Sequence, residues 1–341
     1  MRNKRRVGAF LRPILGFLFA AVLSAAWQVR AETNTVRLAS QYGLAYLPLI
    51  VMEHDHLWEK QAAARGTILR VEYSRLGGGA ALNDALLSDS VHLVAAGLAP
   101  LLLMWDRTIG TADVVGFAAL NVSPIDVLTS RAGVRSLTDL TEEDRIALPA
   151  VKTSIQAIVL MAAAEKAFGE GQADRLNTRT VTMAHPDALV ALLSGHSQIT
   201  AYVSSSPFQE IALRKPGIAK LTDSFAALGG PATFSAVYGK SRFAAENPRA
   251  TEAFYAAMRE ALTLIATNRG TAIDEYLELA RETNDRALIE DILSRPEFSF
   301  GMAPTNTLPV AHTMYRFHIL KHDPRSWRDY FARPLHEGEG G

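Results

Sequence analysis

The sequence predicts an α/β fold of two lobes, each built on a mainly parallel sheet, and three observations carry that expectation. Leu69 to Pro100 (LRVEYSRLGGGAALNDALLSDSVHLVAAGLAP) reads as strand, glycine turn, helix and strand. Thr180 to Pro207 (TVTMAHPDALVALLSGHSQITAYVSSSP) repeats that order, with Ala85-Leu86-Leu87-Ser88 answered by Ala191-Leu192-Leu193-Ser194. Two extended segments, Ile125–Ser130 and Thr233–Tyr238, suit crossings between the repeats. A strand, helix, strand order implies a parallel pair with a right-handed crossover, which puts strand ends and the helix N-terminus on one edge. Two such lobes facing each other would aim both sets of helix N-termini into one cleft.

Each element follows from its pattern. Residues 1–31 hold a basic cluster (Arg2, Lys4, Arg5, Arg6), an uncharged apolar run from Ile14 to Trp27, and a small-x-small end at Val29-Arg30-Ala31. These are the three parts of a secretory signal peptide, with cleavage expected near Ala31, and the apolar run is short for a membrane span. Thr35–Ser40 alternates as a first strand, Gln41-Tyr42-Gly43 turns the chain, and Pro48–Lys60 reads as a helix. In the first repeat, Leu69, Val71 and Tyr73 alternate with charged residues as a half-buried strand does. After the three glycines, Ala81, Leu82, Ala85 and Leu86 form the apolar stripe of a short helix. His92–Ala96 is the next strand, stopped by Gly97 and Pro100, and Leu101–Arg107 begins another helix.

Asp113–Ala119 reads as a strand and Asn121–Pro124 as a loop before the first crossing. Ser136–Leu140 suits a capped turn, Arg145–Pro149 a strand, and Ile155–Phe168 a buried helix, with Thr153 or Ser154 as N-cap. Beyond the second crossing, Pro248–Asn268, Thr271–Glu282, Asp285–Ser294 and Thr307–Lys321 read as helices, and 337–341 as a disordered tail. The expected division is therefore 1–31 as signal peptide, 32–126 with 237–341 as the first lobe, and 127–236 as the second.

Composition narrows the function. Without residues 1–31 the basic residues fall from 35 to 29 against 35 acidic ones, a net charge of −6. A mildly acidic exported chain without a basic patch is a poor nucleic-acid binder. The absence of cysteine excludes disulfides, a thiol nucleophile, thiolate-ligated metal and a lipid-modified cysteine after the leader.

In this order of elements the chain resembles the periplasmic substrate-binding proteins of ABC importers, in the nitrate/sulfonate/taurine-type (SsuA/TauA-like) family. The resemblance rests on the leader, Val36-Arg37-Leu38-Ala39, the Tyr73–Pro100 unit, Ser136–Leu140, Ala147–Phe168, and the FAAENPRATEAFYAAMREAL stretch. It covers essentially the whole mature chain, and its specificity lies in the order of the motifs. The resemblance implies a type II periplasmic-binding-protein fold, a small molecule held between the lobes without a cofactor, and delivery to a membrane permease and ATPase. A monomer in the periplasm is the expectation. It does not name the ligand.

Candidate ligand-binding residues sit where strands end. Gly77, Gly78 and Gly79 let a backbone approach a ligand closely at a helix N-terminus, whose amides and dipole attract an anion; a tight turn uses the same residues. Gly97 ends the next strand. On the facing lobe, Lys152, Thr153 and Ser154 precede a helix, where hydroxyls either cap it or bind a ligand. His185 stands where the glycines stand in the first repeat. Gln41 and Tyr42 in the first loop, Asn121 and Ser123 near the first crossing, and Ser204, Ser205 and Phe208 after the last strand of the second repeat complete the set; Tyr46 suits packing. These loops contain no Asp or Glu, so a neutral or anionic ligand such as a sulfonate is expected rather than a cationic amine.

Other classes fit less well. Gly195-His196-Ser197-Gln198-Ile199 lacks the second glycine of a nucleophile elbow and precedes a strand, which argues against an enzyme. His54-Asp55-His56 and the pair His318 and His322, placed on one helix face, read as solvated histidines and not metal ligands. A pyrimidine- or thiamine-precursor binding protein or related enzyme of the same fold, and a ligand sensor for another membrane partner, stay open.

Overall fold

The structure, a computed structural model, describes residues 32–195, 197–280, 285–337 and 340–341; the expected signal peptide and His196 lie outside them. The first sheet takes β1 (Thr35–Ser40), β2 (Arg70–Arg75), β3 (Leu93–Gly97), β4 (Val114–Val122), β10 (Thr233–Lys240) and β11 (Ser299–Phe300), in the order β11-β4-β10-β3-β1-β2. The second takes β5 (Asp126–Thr129), β6 (Arg145–Leu148), β7 (Thr180–Thr182), β8 (Ile199–Val203) and β9 (Ala219–Asp223), in the order β7-β6-β8-β5-β9. This is the expected two-lobed α/β architecture with mainly parallel sheets.

The antiparallel pairs in the body of each sheet have one cause, while β11 adds a short antiparallel edge on β4. β5 runs antiparallel to β8 and β9, and β10 runs antiparallel to β3 and β4. Each is the first strand after the chain changes lobes. The chain leaves one sheet at the carboxyl ends of its strands and enters the other at that same edge, so the arriving strand must run away from it. The expected crossings shorten accordingly. Asp126–Thr129 pairs wholly within the second sheet, and Thr233–Lys240 pairs along the first, with Val122 opposite Thr233. The chain therefore passes between sheets in residues 123–125 and 229–232, and 233–236 lie with the first sheet instead of the second lobe.

Helices cover the sheets: α1 (Leu47–His54), α2 (Leu57–Ala64), α3 (Gly79–Leu87) and α4 (Leu98–Thr108) in the first half, and α5 (Ile155–Phe168), α6 (His185–Leu193), α7 (Phe208–Leu213) and α8 (Ser224–Leu228) in the second. The single helix expected over Pro48–Lys60 is two, because His56 takes a left-handed conformation (φ 51°) between them. α4 starts before Pro100 instead of after it; a proline in the first helical turn sacrifices no hydrogen bond. α7, β9 and α8 had no clear signal, being short and mixed in pattern.

The C-terminal third returns to the first sheet through α9 (Arg242–Glu246), α10 (Pro248–Thr267), α11 (Arg269–Ala280), α12 (Arg286–Ser294) and α13 (Thr307–Arg316). Trp58 on α2 is fully buried against α10, and its indole N–H donates to the Ala250 carbonyl at 2.8 Å. α13 stops five residues short of its expected end, with His318 left-handed, so His318 and His322 share no helix face; His322 Nδ1 instead lies 2.9 Å from Asp106 Oδ1. Of the expected disordered tail, residues 338–339 lie outside the described residues, while Gly341 is anchored: its N–H donates to Pro304 and its carbonyl accepts from Thr307. Among the described residues no helix is long and apolar enough to cross a membrane.

Candidate functional site

Strand direction decides where the site lies. The loops after β1, β2, β3 and β4 leave the carboxyl edge of the first sheet, and those after β6, β7 and β8 leave the same edge of the second. Open α/β sheets hold ligands at this edge. The two edges meet. The Leu44 N–H donates to the Ser206 carbonyl at 3.0 Å, joining the loop after β1 to the loop after β8.

Glycines mark the closest approaches. A Cβ on Gly78 would stand 2.7 Å from the Pro149 carbonyl oxygen, and one on Gly97 would stand 2.5 Å from Ile155 Cγ2. A Cβ on Gly77 would lie 3.2 Å from Ala184 Cβ, and one on Gly43 would lie 3.1 Å from the Ser206 carbonyl oxygen. The triple-glycine turn thus faces the loop that carries Lys152. Of the three glycines, Gly77 is exposed while Gly78 and Gly79 are buried, Gly79 against the Pro100 ring. Gly97 serves close packing of the lobes.

The histidine of the second repeat heads a buried polar cluster. His185 is 3% exposed and stacks on Phe208, ring centroids 5.4 Å apart and 11° from parallel. Its Nδ1 bonds the Tyr202 hydroxyl, and its Nε2 lies 3.2 Å from the Gln156 side-chain nitrogen and 3.3 Å from Ser205 Oγ. The amide nitrogen only donates, so Nε2 accepts and Nδ1 carries the proton. Tyr202, accepting that proton, turns its own O–H toward the His185 carbonyl at 3.3 Å. Burial pulls the imidazole pKa down from its ordinary 6.5 to about 3, so the ring is neutral. His185 therefore positions Gln156 and Ser205 and is no proton shuttle at neutral pH.

The remaining expected residues divide by partner. Ser154 caps α5: its hydroxyl accepts from the Ala157 N–H at 3.2 Å and donates to the Ala150 carbonyl at 2.8 Å. Ser154→Ala should lower the unfolding free energy by about 1 kcal/mol in urea denaturation. The cap role leaves Lys152, exposed and left-handed (φ 63°), and half-buried Thr153 at the rim with no hydrogen bond or ion pair among the described residues. Gln41 Oε1 accepts from buried Tyr46 at 3.1 Å, and half-buried Tyr42 packs on the second lobe's apolar cluster, which includes Phe208. Asn121, Ser123 and Ser235 bond one another where the chain changes sheets, with Asn121 Nδ2 donating to Ser123 Oγ at 2.9 Å and Ser235 Oγ donating to Asn121 Oδ1 at 2.7 Å. Ser204 is fully buried, its N–H held by the Asp126 carbonyl.

One charged pair was not legible beforehand. Glu210, one turn past the serine loop on α7, is buried; its Oε1 accepts from Ser206 Oγ at 2.8 Å and lies 3.4 Å from Arg295 Nη1, in the first-lobe segment after α12. Burial raises its pKa, opposed by Ser206, Gln209 and Arg295. The loops hold no carboxylate, yet α7 brings one beside them, already matched by an arginine 85 residues away.

Electrostatically the cleft edge favours an acceptor. α3, α4 and α5 all begin there without an acidic residue in the first turn, leaving the positive ends of their dipoles uncompensated.

No family model and no curated protein sequence matches the chain. Solved structures do. The chain is similar to the alkanesulfonate-binding protein SsuA from Xanthomonas axonopodis pv. citri bound to MOPS (TM-score 0.67, 18% identity, 89% of this chain and 98% of that one). It is similar to the periplasmic aliphatic sulphonate binding protein SsuA from Escherichia coli (TM-score 0.64, 18% identity, 89% and 93%). It is also similar to the periplasmic nitrate-binding protein NrtA from Synechocystis (TM-score 0.60, 14% identity, 77% and 70%).

Proposed function

From the periplasmic-binding-protein fold that the chain shares with these proteins, we propose that it is the solute-binding component of an ABC importer of the nitrate/sulfonate/taurine type. In this reading it is a periplasmic monomer that captures a small neutral or anionic organic molecule and hands it to a permease and ATPase complex. The observation that carries the proposal is the meeting of two carboxyl-end loop sets across one cleft, Gly78 against Pro149 and Gly43 against Ser206. An anion is supported by the three helix starts without first-turn carboxylates and by Lys152, which has no ion pair among the described residues. A neutral His185 locked in hydrogen bonds favours a carrier over an enzyme.

A thermal-shift screen of sulfonates, nitrate, carboxylates, pyrimidines and cationic amines tests the ligand class. A true ligand at a hundred times its dissociation constant stabilises the folded state by about 2.7 kcal/mol. Selective stabilisation by a cationic amine overturns the anionic reading, and turnover of any bound compound overturns the carrier. Replacing Lys152 with alanine should weaken an anionic ligand about tenfold in calorimetric titration, the low end for a charge-assisted hydrogen bond at an exposed rim.

A further inference from the structure

A second site lies away from the cleft, where the end of α1 meets α11. His54 Nδ1 is 2.9 Å from Asp55 Oδ1 and 3.9 Å from Glu275 Oε1, and the three ligand atoms all fall within 4.8 Å of one another. Two carboxylates and an imidazole in such a group need not bind anything. Glu275 is the feature that calls for a ligand. It is 3% exposed, so more than nine-tenths of it is out of water. Among the described residues its Oε2 has no hydrogen-bond partner, and His54 stands 3.9 Å from its Oε1, beyond hydrogen-bond reach. Burying a carboxylate this way is unfavourable unless a cation matches it.

We propose that His54, Asp55 and Glu275 form a site for a divalent metal ion of the zinc class, with His54 Nδ1, Asp55 Oδ1 and Glu275 Oε1 as ligands and a fourth position open to water. Ligands about 2.0–2.2 Å from a tetrahedral zinc stand roughly 3.3–3.6 Å apart, and the observed 2.9 and 3.9 Å bracket that spacing. The third pair, Asp55 and Glu275, lies within 4.8 Å, so the two carboxylates draw together as the ion binds. Nδ1 as ligand leaves Nε2 with the proton, and the nearby Glu278 carboxylate, 3.6 Å from Nε2, makes no hydrogen bond to it as the side chains stand. Two nitrogen-or-oxygen ligand types without sulfur suit zinc or another borderline divalent cation over soft monovalent copper. His56 takes no part; its left-handed backbone starts α2. The ion would clamp α11, from the C-terminal third, onto the end of α1. α1 begins beside the cleft loop at Leu47, so the clamp stands about 12 Å along that helix from the cleft, and it does not depend on the identity of the cleft ligand.

The test uses the whole protein stripped with chelator and titrated with zinc alone, with cobalt as a spectroscopic probe. One equivalent should bind, raise the melting temperature, and give the intense visible bands of tetrahedral cobalt. Glu275→Gln and His54→Asn should each weaken binding at least tenfold. Metal-free Glu275→Gln should melt no lower than the metal-free parent, because it removes a buried unmatched charge; should it fail to fold, the more exposed His54→Asn carries the test alone. Failure to bind an equivalent of zinc, or binding that His54→Asn leaves unchanged, overturns the proposal.

Discussion

Lowering the pH from 7 to 5 should remove about 2 kcal/mol of folding stability through His185 alone. The folded ring takes up a second proton only below about pH 3, because it is buried beside Gln156, Tyr202 and Ser205 with no counter-charge. The unfolded ring titrates at the ordinary 6.5. Between those values the unfolded chain binds a proton that the folded chain refuses, so stability falls as pH drops through 6.5 and goes on falling toward 3, by about 1.4 kcal/mol per unit. His92, lowered by burial and the Arg37 charge, acts in the same direction, whereas His54, raised by its hydrogen bond to Asp55, opposes it. The His185 share is isolated by urea unfolding at both pH values in the parent and in His185→Gln. The variant should be flatter by about 2 kcal/mol; equal slopes would show that the imidazole is not held neutral. His185→Ala should cost about 3 kcal/mol at pH 7, since it strands the Gln156 amide and the Ser205 hydroxyl and removes the ring stacked on Phe208.

Gly78→Ala should weaken ligand capture by about tenfold to a hundredfold. Gly78 has an extended backbone (φ −168°), so alanine introduces no local strain. Its methyl group would sit 2.7 Å from the Pro149 carbonyl oxygen on the other lobe, and that obstacle is backbone, which cannot rotate away. The lobes must part, and overpacking of this kind destabilises by about 1–3 kcal/mol. Calorimetric titration of the ligand found by screening reads the loss, and small-angle scattering should show a larger radius of gyration. Gly301→Ala, with nothing within 4 Å of its added carbon, serves as the control that leaves both unchanged. A parent-like affinity in Gly78→Ala would mean that capture does not require these loops to meet.

Much of the fold was legible because local pattern and tertiary role agree there. Thr35–Ser40 is a strand and Ile155–Phe168 a helix with the bounds their periodicity indicates, and Ser154 rather than Thr153 proved to be the cap. The strand, helix, strand order of both repeats was also readable, since a parallel pair demands a crossover. Where pattern failed, distant contacts had overruled it. A left-handed residue at His56 divided a periodic helix, and a 3.0 Å backbone bond carried the first loop to Ser206. At Gly341 the expected disorder gave way to bonds with Pro304 and Thr307.

By itself, then, the amino-acid sequence determined the order of elements, the two-lobed class and the loops at which a cleft would form, because hydrophobic period, glycine placement and capping residues act over a few neighbours. Tertiary structure alone decided which side chains remain available, both at that cleft and where α11 meets α1. His185 is spent on Gln156, Tyr202 and Ser205, Glu210 is matched by Arg295, and Glu275 is buried beside His54 without a partner for Oε2. The reason is physical: a hydrogen bond or ion pair depends on ångström distances between residues far apart in the chain, and no local pattern encodes those distances.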